Sequence, residues 1–92
     1  MAFQFTYTDK TGTTHDAAYC RINAVEIRRE VGQASTARIV ADVHHDEAAR
    51  VAGRPALATF TATVDFVEPF ILTDAYAALR EQCPELANAY EV

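Results

Sequence analysis

Aromatic and polar residues alternate at the start of the chain, Phe3-Gln4-Phe5-Thr6-Tyr7-Thr8. A period of two sets the three rings on one side of an extended backbone and predicts a strand with one buried face. Asp9-Lys10-Thr11-Gly12 has turn composition, with Gly12 free to take a positive φ. A second extended stretch is expected over residues 17–30. Val25-Glu26-Ile27-Arg28 alternates, but Ile22 is out of phase with Val25 and Ile27, and a bulge near Asn23 repairs the mismatch. Val31-Gly32-Gln33-Ala34 is a short link to a third strand over 37–44, so the two strands read as a β-hairpin. Residues 46–55 break the pattern. Within them 47–52 has helix-forming composition and Gly53 is placed to stop it, which predicts one or two helical turns inside a loop. The fourth strand, 57–66, alternates most cleanly: Phe60, Ala62, Val64 and Phe66 point one way, Thr59, Thr61, Thr63 and Asp65 the other. Glu68-Pro69 is expected to end it.

Thr73 is then expected to cap a helix whose first turn carries Asp74, in keeping with the helix dipole. Tyr76, Leu79 and Cys83 recur at helical spacing and should face the sheet. Pro84 cannot continue the helix and suits the first position of a last short turn over 85–90. The predicted architecture is α+β: one domain over residues 1–92, a four-stranded, mainly antiparallel meander with a C-terminal helix packed on one face. The other face carries Gln4, Thr6, Thr8, Thr59, Thr61 and Thr63, residues that tolerate water and keep strand propensity. Such a face is also a flat surface for a neighbouring subunit, and unpaired strand edges offer a second route to a partner.

Composition narrows the function. Thirteen acidic against eight basic residues give a net charge of −5, which disfavours nucleic acid as a partner. No apolar run approaches the ~20 residues that span a bilayer, and the first residues lack the basic and apolar regions of a signal peptide, so no membrane association is expected. Cys20 and Cys83 are far apart in no metal or redox spacing and read as two reduced, half-buried thiols.

Candidate chemistry is sparse. His44-His45-Asp46-Glu47 offers metal-ligating groups, but on a strand His44 and His45 point to opposite faces. His15 and Asp16 are the only suggestive supplement, and the expectation is a solvated strand end with no metal. Cys20 has no local signature of a nucleophile, and the three glycines supply no phosphate loop or dinucleotide fingerprint. The expectation is no catalytic residue and no cofactor. Arg21, Arg28, Arg29 and Arg38 cluster on the central hairpin but are interleaved with Glu26, Glu30 and Asp42, a pattern of cross-strand pairs or of a protein interface. Thr59, Thr61, Thr63, Arg28, Arg29 and Arg38 form the candidate partner surface.

Three segments together carry a resemblance: Gly12 with 18–22 (Ala-Tyr-Cys-Arg-Ile), then 43–55, then 75–80 with Pro84-Glu85-Leu86-Ala87-Asn88-Ala89-Tyr90-Glu91-Val92. In this order and layout the chain resembles a family of small proteins encoded by tailed bacteriophages among their virion and tail genes. Gln82-Cys83-Pro84 is one residue longer than the tighter turn of that family. The resemblance implies a non-enzymatic virion structural protein of the tail or baseplate region, assembled in the bacterial cytoplasm. It further implies contact with other phage structural proteins and with copies of the same chain, as a homo-oligomer, and it supplies no catalytic residues. The alternative is a small intracellular adaptor of phage or host that never enters a particle.

Overall fold

A computed structural model describes residues 2–29, 31–32, 34–66 and 71–92. The expected roles of Glu30, Gln33 and Glu68-Pro69 lie outside the described residues. The element order is β1 (Phe3–Thr8), β2 (Thr14–Arg28), β3 (Thr36–His44), α1 (Glu47–Val51), β4 (Ala58–Asp65), α2 (Leu72–Gln82), a 3-10 turn (Pro84–Leu86) and β5 (Tyr90–Glu91). The sheet has five strands in the order β4-β3-β2-β1-β5, and every pairing is antiparallel. The α+β class, the meander through β1–β4 and the C-terminal helix on one face are as the sequence predicts.

The number of strands is not. Pro84 opens a short 3-10 turn, Pro84–Leu86, as expected, but Tyr90 does not belong to it: the last residues return to the free edge of β1, where Phe3 faces Glu91 and Gln4 faces Tyr90. Ala2 and Val92 exchange backbone hydrogen bonds of 3.0 and 2.9 Å. Two residues carry little strand signal of their own; an unpaired edge and a local anchor make the strand. Arg80 supplies that anchor, donating to the Ala89 carbonyl at 2.6 Å while its guanidinium sits 4.8 Å over the Phe3 ring.

The core lies between α2 and one face of the sheet. Phe3, Phe5, Cys20, Ile39, Ala41, Val43, Phe60 and Ala62 contribute from the strands, Tyr76, Leu79 and Leu86 from the C-terminal third. Tyr76, Leu79 and Cys83 face the sheet as their spacing predicts. The helix start differs from expectation. Ile71 occupies the N-cap in extended conformation with no side-chain cap, so Thr73 is inside the first turn and caps nothing.

The predicted phase break is present. The β2–β3 register shifts between Ile22 and Ala24, and the Ile22 N–H donates to the Tyr76 hydroxyl at 3.1 Å. The bulge thus docks β2 onto α2, and it returns Val25 and Ile27 to the same face as Ile39 and Ala37, their partners on β3. A second shift, between Phe5 and Tyr7, lets β2 begin at Thr14, three residues earlier than expected. The helical turn of the 46–55 segment forms as expected. Asp46 accepts from Ala49 N–H at 2.7 Å, and Gly53 at φ +74° closes the segment.

Candidate functional site

The face of the sheet away from α2 is set by register. Arg21, Asp42 and Thr59 stand side by side across β2, β3 and β4; Ala24, Val40 and Thr61 form the next row, then Glu26, Arg38 and Thr63, then Arg28, Thr36 and Asp65. Opposed residues in an antiparallel sheet share a face, so each charged row carries both signs. Arg38 Nη1 lies 3.3 Å from Glu26 Oε2, and the Thr59 hydroxyl donates to Asp42 Oδ1 at 3.3 Å. Both pairs are solvent-exposed and contribute little stability. They do fix long side chains in place. Glu26, Arg28, Thr36, Arg38 and Thr63, with Ile27, border a shallow depression of 580 Å³.

Five of the six candidate partner residues, Thr59, Thr61, Thr63, Arg28 and Arg38, therefore share one exposed face. Arg29 does not join them. It follows the last residue of β2, and its guanidinium lies 5.4 Å over the Phe66 ring. The face is also shorter than the sheet. Toward the other end α1 lies across it, sharing a cleft with Gln4 and Ala17, and Tyr19 and His44 are buried there.

The strand edges are less open than the sequence suggests. On β4 the Gln82 side chain imitates a neighbouring strand: its amide nitrogen donates to the Thr63 carbonyl at 2.9 Å, and its amide oxygen accepts from Thr63 N–H at 3.1 Å. The Cys83 thiol points at the Thr61 carbonyl, 3.8 Å away. Along β1, β5 covers the first residues. Strand addition, one of the two expected routes to a partner, is thus blocked at the middle of β4, because edge groups already paired within the chain have nothing to offer.

The candidate metal residues part company as expected, with one addition. His44 is buried on the face that α1 covers, so this strand end is not the fully solvated one expected, and His45 is exposed on the other side. Asp16 is exposed and takes no part in the cluster that follows. His15 and His45 do meet: their Nδ1 atoms are 2.7 Å apart. Asp9, read from sequence only as a turn residue, holds the pair. Its Oδ1 accepts from the backbone N–H groups of Thr11 and Thr13, and its Oδ2 lies 2.9 Å from His15 Nε2. The His15 ring, with the Thr11 hydroxyl, holds the Asp9 carboxyl well below the usual carboxylate range. The signal for this contact was in the hairpin register, which sets His15 opposite Tyr7 with stacked rings. Only the turn geometry shows that Asp9 reaches it. Among the described residues, no three His, Cys, Asp or Glu side chains form a set that could hold a metal ion.

The cysteines are free and buried. Burial, followed by the neighbouring Cys83 and then Asp42, pushes the Cys20 thiol up to about 12, and burial also raises that of Cys83. Neither offers a thiolate at neutral pH. What the described residues do build is an exposed surface of alternating charge and hydroxyl groups across β2, β3 and β4. No family model, curated protein or solved structure matches the chain.

Proposed function

We propose that this chain is a non-enzymatic structural protein that works through protein–protein contacts and self-assembly, as a component of the tail or baseplate region of a phage virion. The observation that carries the contact reading is the open face of β2–β3–β4. Its two central rows, Ala24-Val40-Thr61 and Glu26-Arg38-Thr63, put a neutral strip beside a row carrying both charges. A surface with both signs in adjacent positions is self-complementary about a two-fold axis, because a rotated copy can set Arg38 against Glu26. The virion assignment is supported by the sequence resemblance in the three segments given above.

Two measurements test it. Sedimentation of the wild-type chain and of Thr61→Arg, which sets a bulky cation on the neutral strip, is expected to show an assembly that the variant loses. A wild-type monomer at concentrations of about 100 µM, well above the range of stable homo-oligomers, removes the self-assembly reading. Quantitative mass spectrometry of purified particles from the encoding phage addresses location. A fixed ratio to the major tail proteins supports the virion reading. Abundance in infected cells with absence from clean particles points instead to an adaptor.

A further inference from the structure

The second half of β1 keeps a free edge. Ala2 and Val92 exchange backbone hydrogen bonds between β1 and β5, and at the other end of β1 the Asp9 N–H donates to the Thr13 carbonyl across the hairpin. Backbone groups alternate sides along a strand, so the even-numbered residues of β1 face β5 and the odd-numbered ones face β2. The irregularity between Phe5 and Tyr7 leaves this alternation intact, because its extra residue is on β2, where Asp16 and Ala17 together oppose Thr6. β5 pairs with Phe3 and Gln4 and goes no further. The N–H and C=O groups of Thr6 and Thr8 therefore point outward with no strand beside them among the described residues.

Beyond the end of β5 this edge borders a groove of about 380 Å³ with acidic walls. Glu85 stands on the α2 side of the sheet, in the 3-10 turn whose Leu86 is in the core, and Asp16 stands on the other side, opposite Thr6. Asn88 and the exposed Tyr90 complete the groove, and no lysine or arginine lines it. A strand entering here continues the line of β5. Its side chains alternate between the two sides of the sheet, so neighbouring positions meet Glu85 and Asp16 in turn.

We propose that the Thr6–Thr8 edge accepts an extended segment of a partner protein by β-strand addition, with Lys or Arg at two neighbouring positions of that segment. Charge selects the occupant. A second copy pairing β1 with β1 about a two-fold axis brings Asp16 and Glu85 of both copies to one seam, where like charges repel, whereas a basic segment neutralises both. β4 shows the contrast: there Gln82 fills both backbone groups of Thr63 from within the chain. The site is at the opposite edge of the sheet from β4 and does not depend on assembly through the β2–β3–β4 face.

A capped six-residue peptide, Thr-Val-Lys-Arg-Val-Thr, titrated into the full chain tests this, read by amide signals in NMR. Shifts centred on Thr6 and Thr8 are expected, with slowed hydrogen exchange at both and a Kd of about 1 mM or tighter. The same peptide with glutamate at its two basic positions should bind at least about tenfold more weakly. Thr6→Pro removes the outward N–H and no hydrogen bond of the β1–β2 ladder, the setting in which a strand tolerates proline, and should abolish binding. Glu85→Lys, at an exposed position, should weaken it about fivefold through charge alone. No shift at Thr6 and Thr8 up to about 5 mM peptide overturns the proposal. So does equal binding of the glutamate peptide, or a shift of the same two amides when the chain alone is concentrated, which places a second copy on this edge.

Discussion

Individual side chains close this fold in places where backbone pairing falls short. At the β2 bulge the Ile22 N–H would have no partner on α2 without the Tyr76 hydroxyl, 3.1 Å away. Tyr76 is buried, and its ring meets Phe3 edge-on with centroids 5.2 Å apart, so the ring holds its position when the hydroxyl is removed. Tyr76→Phe is therefore expected to cost about 1–2 kcal/mol in chemical denaturation, the value of a buried donor left unpaired. Cys20 gives a second test at this scale. Its folded-state value, pushed up by burial to about 12 from an ordinary 9.0, means that the folded chain holds a proton that the unfolded chain has already lost. This contribution is intact below pH 9 and is lost as pH rises toward 12, at about 1 kcal/mol per pH unit. Cys20→Ala lowers stability at neutral pH by leaving a cavity, yet its stability should fall less steeply across that window. Equal slopes for the two proteins would mean that Cys20 is not the buried thiol described here.

Among the elements, β4 is the one whose exposure is most closely managed. It is an edge strand of eight residues with Thr59, Thr61 and Thr63 on its open side, a composition that invites a further strand. Gln82, the last residue of α2, turns back and satisfies both backbone groups of Thr63. Gln82→Ala leaves those groups to water, so a loss of only about 0.5–1 kcal/mol is expected. The larger effect should be on association: the uncapped edge should raise light scattering at high protein concentration, with no change in the far-ultraviolet spectrum. A variant that stays as soluble as the wild type would show that the cap is incidental. The short elements show the same dependence on context. α1 is legible because 47–52 has helix-forming composition and Gly53 marks its end in the sequence, whereas the Asp46 cap is seen only in the structure and β5 exists only through the β1 edge and Arg80.

Taken whole, the molecule is elongated, 45 × 25 × 23 Å, and α2 covers one face of a sheet whose other face is only partly covered, by α1. Thr61 lies near the middle of the exposed part of that face. It is exposed and its side chain makes none of the described hydrogen bonds, so Thr61→Arg should alter stability by no more than about 0.5 kcal/mol. A loss of assembly in that variant therefore reports on the surface and not on the fold.

Periodicity determined the four long strands, the bulge near Asn23 and the buried side of α2, while composition and Gly53 marked the helical turn within 46–55. These are decided by which residues bury together, and a period of 2 or 3.6 records that locally. The sorting of His44 and His45 to opposite faces and the grouping of Thr59, Thr61 and Thr63 follow from the same rule. Tertiary structure decided the rest. β5 depends on an edge 86 or more residues earlier in the chain, Arg29 leaves the candidate face for the Phe66 ring, and Gln82 closes β4 across 19 residues. Asp9, His15 and His45 come together because two registers and one turn place them so. Contacts of this kind leave no period in the sequence, since each joins residues whose spacing is set by how the strands pair and not by the residues themselves.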